Sequence, residues 1–426
     1  MSSRNTPAGL QARIAAHIPA INGLLFASLF FFLPAHVAPA YSISGLILLL
    51  SLVEGRFAEK WAQLKGDPLF WIFQAFFWIT PLSLLWTDDL QAGLRMVGRY
   101  AFFLLSPLYL TIARRELAPR CIAAFLAGCL MAETLAWYNW LEMSFFPEWP
   151  DGIRVRKEAT ETAPFVDHIL YAPILAWAGY LALREALAAT GWRRAGFALL
   201  AALTTGNLIF STGRTGQLVF LVLVALLIFQ RLAGRHPLRA ALAAVSLTGG
   251  LAVLAYHTSA PIAAQVDETL SEFARRDDTF DTATAQRLGF LTNSLRLAAE
   301  NLLTGVGAGD FYPAYVDINQ RYTPDWTTTD NPHNQYLFTV TTTGIGGGLI
   351  LLLTYFPPIL WRRQRDALAQ HRVALVVFIG VCSLFEDYLW RSNTSLLYVL
   401  FAVLLLGRRS LGPPADGRQA APIRAE

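Results

Sequence analysis

The chain has 426 residues, 54% of them hydrophobic and 15% charged, against roughly 25% charged in an ordinary soluble domain, so its apolar mass exceeds what one water-soluble core can hold. Continuous apolar runs near the ~20 residues of a membrane-crossing helix recur along it, which excludes both a single-span anchor and an outer-membrane barrel with its alternating strands. The net charge of +4 lies in short connections and therefore argues for no nucleic acid partner.

The expected fold is all-α: a polytopic integral membrane protein with about 12 transmembrane helices. In chain order the runs cover 18–34, 41–53, 69–86, 95–113, 121–146, 167–183, 195–211, 215–230, 239–257, 334–360, 372–390 and 393–407. The first, followed by Ala38-Pro39-Ala40, superficially resembles a signal peptide, yet a further apolar run begins at Ile43, so a retained span is expected. The second and last runs are short, and a pair of tilted or re-entrant segments would lower the count. This divides the chain into helices one to nine over 1–257, a loop domain over 258–332, helices ten to twelve over 333–407 and a disordered tail, containing Gly412-Pro413-Pro414, over 408–426. Cys121, Cys129 and Cys382 fall in or beside apolar runs without metal-ligand spacing and read as packing residues.

Alternate connections hold 22 of the 34 basic residues, among them Arg114, Arg115, Arg120 and the Arg362-Arg363-Gln364-Arg365 run. By the positive-inside tendency, both termini are expected in the cytoplasm. Two segments on the outer side are then long, 147–167 and 258–332, and only the second is large enough to carry a site. Within it Leu288, Leu291, Leu295, Ala298 and Leu302 recur at helical spacing, the mark of an amphipathic helix. The series Gly305-Val306-Gly307-Ala308-Gly309 ends that helix. No strand precedes these glycines, so they are no dinucleotide fingerprint, and no cofactor is expected.

Charged groups within hydrocarbon are costly and usually pair or line a cavity. Glu133, Asp167, His168, Glu386 and Asp387 are such groups, either internal ion pairs or parts of a site. Arg95 and Arg99 are one turn apart at the outer start of the fourth run, where like charges on one face repel unless an anion lies between them. The turn Phe210-Ser211-Thr212-Gly213-Arg214-Thr215-Gly216 surrounds one arginine with glycines and hydroxyls. Arg214 there either holds a phosphate, which a guanidinium matches in bidentate fashion, or snorkels from a tight hairpin. In Thr329-Asp330-Asn331-Pro332-His333-Asn334, Asp330 or Asn331 is a natural helix cap and Pro332 a natural first helical residue. His333 is then expected in the first helical turn, where the positive helix end disfavours the imidazolium; the alternative is a bland interfacial histidine.

His333-Asn334, nine residues and then Gly344-Ile345-Gly346-Gly347 resemble the signature of bacterial O-antigen ligases (WaaL-type) of the O-antigen ligase and polymerase superfamily. Arg214-Thr215-Gly216-Gln217-Leu218 is similar to that family's Arg-x-x-x-Leu element. The shared stretch runs from about Asn207 to Leu353 and includes Gln286-Arg287 and Gly305 to Phe311. The resemblance implies an inner-membrane glycosyltransferase that moves O-polysaccharide from undecaprenyl diphosphate to a lipid A-core sugar hydroxyl at the periplasmic face. Arg214 and Arg287 would bind the diphosphate and His333 would be the catalytic base, with Arg95, Arg99, Asp330 and Asn334 as second-rank candidates. No Asp-x-Asp pair lies in an outer loop, and Asp277-Asp278 is beside neither motif, so arginines rather than a metal are the expected cations. A polymerase or a protein O-oligosaccharyltransferase would use the same donor; a flippase of lipid-linked oligosaccharide is the competing reading from another class. The expected partners are the lipid-linked donor, the lipid A-core acceptor and membrane lipids.

Overall fold

A computed structural model describes residues 7–145, 163–234, 236–274, 283–357 and 366–410. The expectations on Asp277-Asp278, on most of 147–167, on Arg362 to Arg365 and on the tail from 411 lie outside the described residues. In chain order the helices are α1 Pro7–Phe32, α2 Ala38–Glu54, α3 Phe57–Lys65, α4 Pro68–Ser83, α5 Leu90–Arg99, α6 Ala101–Ile112, α7 Ala118–Phe145, α8 His168–Ala188, α9 Gly191–Phe210, α10 Arg214–Leu232, α11 Pro237–Thr258, α12 Ala260–Ala274, α13 Ala283–Glu300, α14 Phe311–Tyr322, α15 Gln335–Tyr355, α16 Ala369–Cys382 and α17 Ser392–Leu406. No strand occurs among the described residues.

Five helices are long and apolar enough to cross a membrane, or six if α2 and α3, bent by 119°, count as one span. The expected 12 is therefore not reached by length and composition. The expected span 95–113 breaks at Tyr100 into α5 and α6, which leaves Arg95 and Arg99 on a short helix begun by Asp89, whose Oδ1 accepts from Ala92 N at 2.9 Å. The expected span 372–390 stops at Cys382 and continues as an irregular connection. The described residues between 258 and 332 carry α12, α13 and α14.

Helices α8 and α17 are apolar around their whole circumference and are buried almost throughout, from Tyr171 to Ala182 and from Thr394 to Leu406, as such helices must be. The bundle closes around them. At its edge α11 exposes Leu242 by 61%, Val245 by 71% and Leu254 by 57%. An apolar surface of this extent is unstable in water and fits lipid, consistent with an integral membrane protein. The expected helix is present as α13, but most of its apolar stripe does not face the core: Leu288 and Leu295 are exposed, as is Leu302 just past its end, whereas Ala298 of the stripe is buried together with Phe290, Asn293 and Leu297. Asn293 Nδ2 donates to Asn319 Oδ1 at 3.1 Å and Thr323 Oγ1 at 2.7 Å, so a polar contact fixes which side of α13 faces α14.

α15 is broken at Gly344, where φ is 69° and ψ is −172°, a combination open essentially to glycine alone. A break inside an apolar helix strands backbone groups that a bilayer cannot satisfy. Here the chain just after α13 satisfies them: Val306 N donates to Thr341 O at 2.8 Å, Gly307 N to Thr342 O at 3.0 Å, and Ile345 N to Leu302 O at 2.8 Å. Asp310 then ties the same segment to the start of α5, accepting from Asp88 N at 2.7 Å and Asp89 N at 2.9 Å.

Candidate active site

α9 and α10 are joined by a turn closed on itself. Gly213 N donates to Ser211 Oγ at 3.1 Å, and Gln217 Nε2 donates to the carbonyls of Leu208 and Ser211, each at 2.9 Å. A Cβ at Gly213 or Gly216 would lie 2.4 Å from the Ala172 Cβ. These glycines thus serve close packing of α10 on α8 first, beyond the ligand approach that the sequence suggested.

From this turn Thr212, Arg214 and Thr215, together with His168 of α8, Arg287 of α13 and Glu386, line a cavity of about 190 Å³. Both arginines expected at the site therefore meet, although they lie on different helices. Arg214 is ion-paired with Glu268 and hydrogen-bonded to Thr269 Oγ1 at 3.3 Å, both on α12. Arg287 has no hydrogen-bond or ion-pair partner among the described residues.

His333 precedes α15 instead of opening it. Asn334 is the cap, its Oδ1 accepting from Leu337 N at 3.1 Å, while Asn331 Oδ1 accepts from His333 N at 3.0 Å. That local Asn331 turn competes with helix and displaces the expected start at Pro332. His333 takes φ 50°, uncommon for a residue with a Cβ; strain of this kind persists only where the surroundings enforce it. They do so from two sides. His333 Nδ1 lies 2.8 Å from Glu386 Oε2, and the Phe290 ring stacks on the imidazole at 5.8 Å and 23°. Phe290 is one turn beyond Arg287 on α13; His333 does not itself line the cavity and reaches its wall through Glu386. In the neutral ring, Nδ1–H donates to the carboxylate and the lone pair stands on Nε2.

Glu386 belongs to the connection 383–391, which Asn334 and Gln335 hold in place. Asn334 Nδ2 donates to Leu384 O at 3.2 Å, Gln335 N to Ser383 O at 2.9 Å, and Gln335 Oε1 accepts from Leu389 N at 2.8 Å. Burial alone would raise the Glu386 carboxyl, but the hydrogen bond from His333, with help from Asp387 and Arg391, holds it below the ordinary carboxylate range. Burial and the adjacent Glu386 push Asp387 the other way, well above its ordinary value. The two neighbouring carboxyls are thus pushed in opposite directions, and the one held low is the one that faces His333.

Of the second-rank candidates, Asn334 positions the connection, and Arg99 lies over the Trp390 ring at 4.2 Å, which Arg391 also approaches at 5.0 Å. Arg95 is exposed, and so is Asp330, whose Oδ1 accepts from Asn331 Nδ2 at 2.9 Å; neither lines the cavity. Phe290, Trp390 and Arg391, with Arg391 Nη2 at 3.5 Å from Glu386 Oε1, were not singled out by the sequence. Glu386 was visible there only as an acid in an apolar run.

The helices and this cavity define a polytopic helical membrane protein with a cation-lined site beside a histidine–carboxylate pair. Residues 198–352 match the family model described as O-antigen ligase. That stretch of the chain is therefore similar to the O-antigen ligase family, and Arg214, Arg287 and His333 all lie within it. No curated protein matches the chain. Glu386 and Arg391 lie beyond the matched segment.

Proposed function

We propose that the protein is an O-antigen ligase that transfers O-polysaccharide from undecaprenyl diphosphate to a sugar hydroxyl of lipid A-core, at the periplasmic face of the inner membrane. The observation that carries this reading is the meeting of Arg214, Arg287 and Glu386 around one cavity, with Glu386 bound to His333 Nδ1. The two guanidiniums bind the diphosphate and stabilise the charge that grows on it as the anomeric C–O bond breaks. His333 Nε2 takes the proton of the acceptor hydroxyl as its oxygen forms the new glycosidic bond, and the electron pair of the broken bond leaves on the diphosphate. Attack opposite the leaving group inverts the anomeric centre. General-base help of about 10² to 10⁴-fold suffices with so good a leaving group, and the Glu386 carboxylate stabilises the imidazolium that forms.

Reconstitution of the purified chain with lipid-linked O-polysaccharide and either lipid A-core or an acceptor peptide tests the reading, with product followed by mobility shift. Modification of lipid A-core alone is expected. Modification of the peptide, or elongation of the donor without either acceptor, assigns the site to another member of the superfamily. Both termini are proposed to be cytoplasmic, so a cysteine at Asp325 should react with an impermeant reagent once the outer membrane alone is opened; failure to react overturns the periplasmic placement.

A further inference from the structure

A second cavity, of about 150 Å³, opens at the other end of the bundle, between the middle of α1, the C-terminal ends of α2 and α6 and the short helix α3. Four cations border it, Arg56, Lys60, Arg114 and Arg409. Acids match two of them: Lys60 Nζ is 2.8 Å from Glu54 Oε2, and Arg56 is paired with Glu59 and lies 3.9 Å from Glu54. Arg114 and Arg409 have no ion-pair partner among the described residues. Arg409 donates to Gln63 Oε1 at 3.3 Å and to the Thr111 carbonyl, while the Arg114 side chain has no hydrogen-bond partner among the described residues. Burial, together with the Arg114 charge, pushes Arg409 below the ordinary arginine value, against the opposing pull of Glu116. Arg409 is exposed and Arg114 half-buried, so water screens part of their repulsion, and two guanidiniums bordering one cavity without an acid of their own favour an anion there.

The surroundings decide which anion. α3 turns away from α2 by 119° and has no buried residue. Phe57 and Trp61, one turn apart on it, are 59% and 52% exposed, and Trp71 of α4 is 52% exposed beside them. Aromatic side chains exposed next to a spanning bundle mark the membrane–water interface. On the same last turns of α2 that supply Ser51 and Glu54 to the cavity, Leu49, Leu52 and Val53 are exposed, a surface for acyl chains. On its apolar side the cavity reaches Asn22, which is 1% exposed; Nδ2 donates to Ser51 Oγ at 3.3 Å and Oδ1 has no partner. A half-turn of that amide would keep a bond to Ser51, now donated by the hydroxyl, and would free an N–H for a lipid ester carbonyl.

We propose that this cavity binds the phosphate of an anionic membrane-lipid headgroup between Arg114 and Arg409. The site is separate from the cavity of Arg214 and Arg287 and takes a resident lipid rather than a reactant.

Native mass spectrometry of the full chain in detergent, titrated with phosphatidylglycerol, phosphatidylcholine or inorganic phosphate, tests this. One phosphatidylglycerol per chain is expected, bound roughly tenfold or more weakly after Arg114→Gln or Arg409→Gln, the loss from one charge-assisted hydrogen bond, and not displaced by inorganic phosphate. Arg114→Gln removes no hydrogen bond between described residues, and an unchanged melting temperature shows that its effect is on binding. Equal retention of phosphatidylglycerol by wild type and both variants, or equal retention of phosphatidylcholine, overturns the proposal. Capture of inorganic phosphate without phosphatidylglycerol overturns the lipid source.

Discussion

His333 Nδ1 and Glu386 Oε2 are 2.8 Å apart, although 53 residues separate the two in the chain. The pair joins the start of α15 to the connection after α16, and its carboxylate faces the cavity that Arg214 and Arg287 line. Histidine orientation and anion binding are therefore built from separate segments, and substitutions should separate them.

His333→Ala is expected to lose nearly all transfer while retaining donor, because the diphosphate contacts remain. Arg214→Ala should weaken donor binding as well as turnover, since a charge-assisted hydrogen bond of about 1.5 to 3 kcal/mol is missing in ground and transition states alike. Arg214→Lys should restore only part of it, as an ammonium lacks the bidentate fork. Donor binding measured beside turnover checks the assignment, and loss of binding in His333→Ala with retention in Arg214→Ala would reverse the two roles.

Glu386→Gln keeps the size of the side chain but lets an amide N–H point at His333 Nδ1, which favours the tautomer with the proton on Nε2. Turnover should fall by roughly 10² to 10⁴-fold with donor binding intact, the scale of a wrong-tautomer effect in histidine–carboxylate pairs. Activity within a factor of about two of wild type would show that Glu386 only fills space.

Asp387 provides a pH test. Its folded carboxyl titrates well above the ordinary 3.8, chiefly through burial and then through Glu386. The unfolded chain releases that proton near 3.8 and the folded chain keeps it, so stability declines as pH rises from there towards the folded value, by about 1.4 kcal/mol per pH unit. Asp387→Asn removes the titration. The variant should melt higher than wild type at pH 7.5, with the difference vanishing below about pH 4; a lower melting point at pH 7.5 contradicts the assignment.

A Cβ at Gly344 would stand 2.2 Å from the Leu303 carbonyl oxygen, whereas one at Gly346 would meet nothing within 4 Å. Gly344→Ala should cost more than the ~1 to 2 kcal/mol of a left-handed backbone alone, with a large fall in melting temperature and loss of transfer. Gly346→Ala should be silent in both measurements.

Arginines are assigned to the leaving group, so turnover is expected to persist in excess chelator. Abolition by chelator with recovery on adding Mg²⁺ or Mn²⁺ would transfer that role to an acidic cluster.

Arg214 and His333 were legible because each stands in a short local pattern, a turn rich in glycine and hydroxyls or a run of capping residues. Their neighbours were not, since nothing in the spacing of Phe290 or Arg391 records what a distant helix brings to it. Glu386 stood out as an acid among apolar residues, but its partner could not be read from one segment. The α13 helix was legible and its orientation was not: periodicity reports an apolar stripe on Leu288 and Leu295 without saying whether protein or lipid covers it, and the buried Asn293 decides. Tyr100, where an expected span breaks, is held by a contact 235 residues away, Gln335 Nε2 donating to its hydroxyl at 3.3 Å, which no local pattern records.

The hydrogen bonds exchanged across the break in α15 also bear on biosynthesis. Residues 302–307 leave the ribosome before residues 341–345, so the segment that must accept the discontinuous helix already exists when that helix emerges. A chain in which the two were reversed in order would hold orphan amides in lipid until its partner was made. Expression as two polypeptides divided between Tyr322 and Asn334 should accordingly fail, because residues 302–307 and 341–345 then lie on different pieces, while a division between residues 357 and 366 leaves both halves of the exchange on one piece.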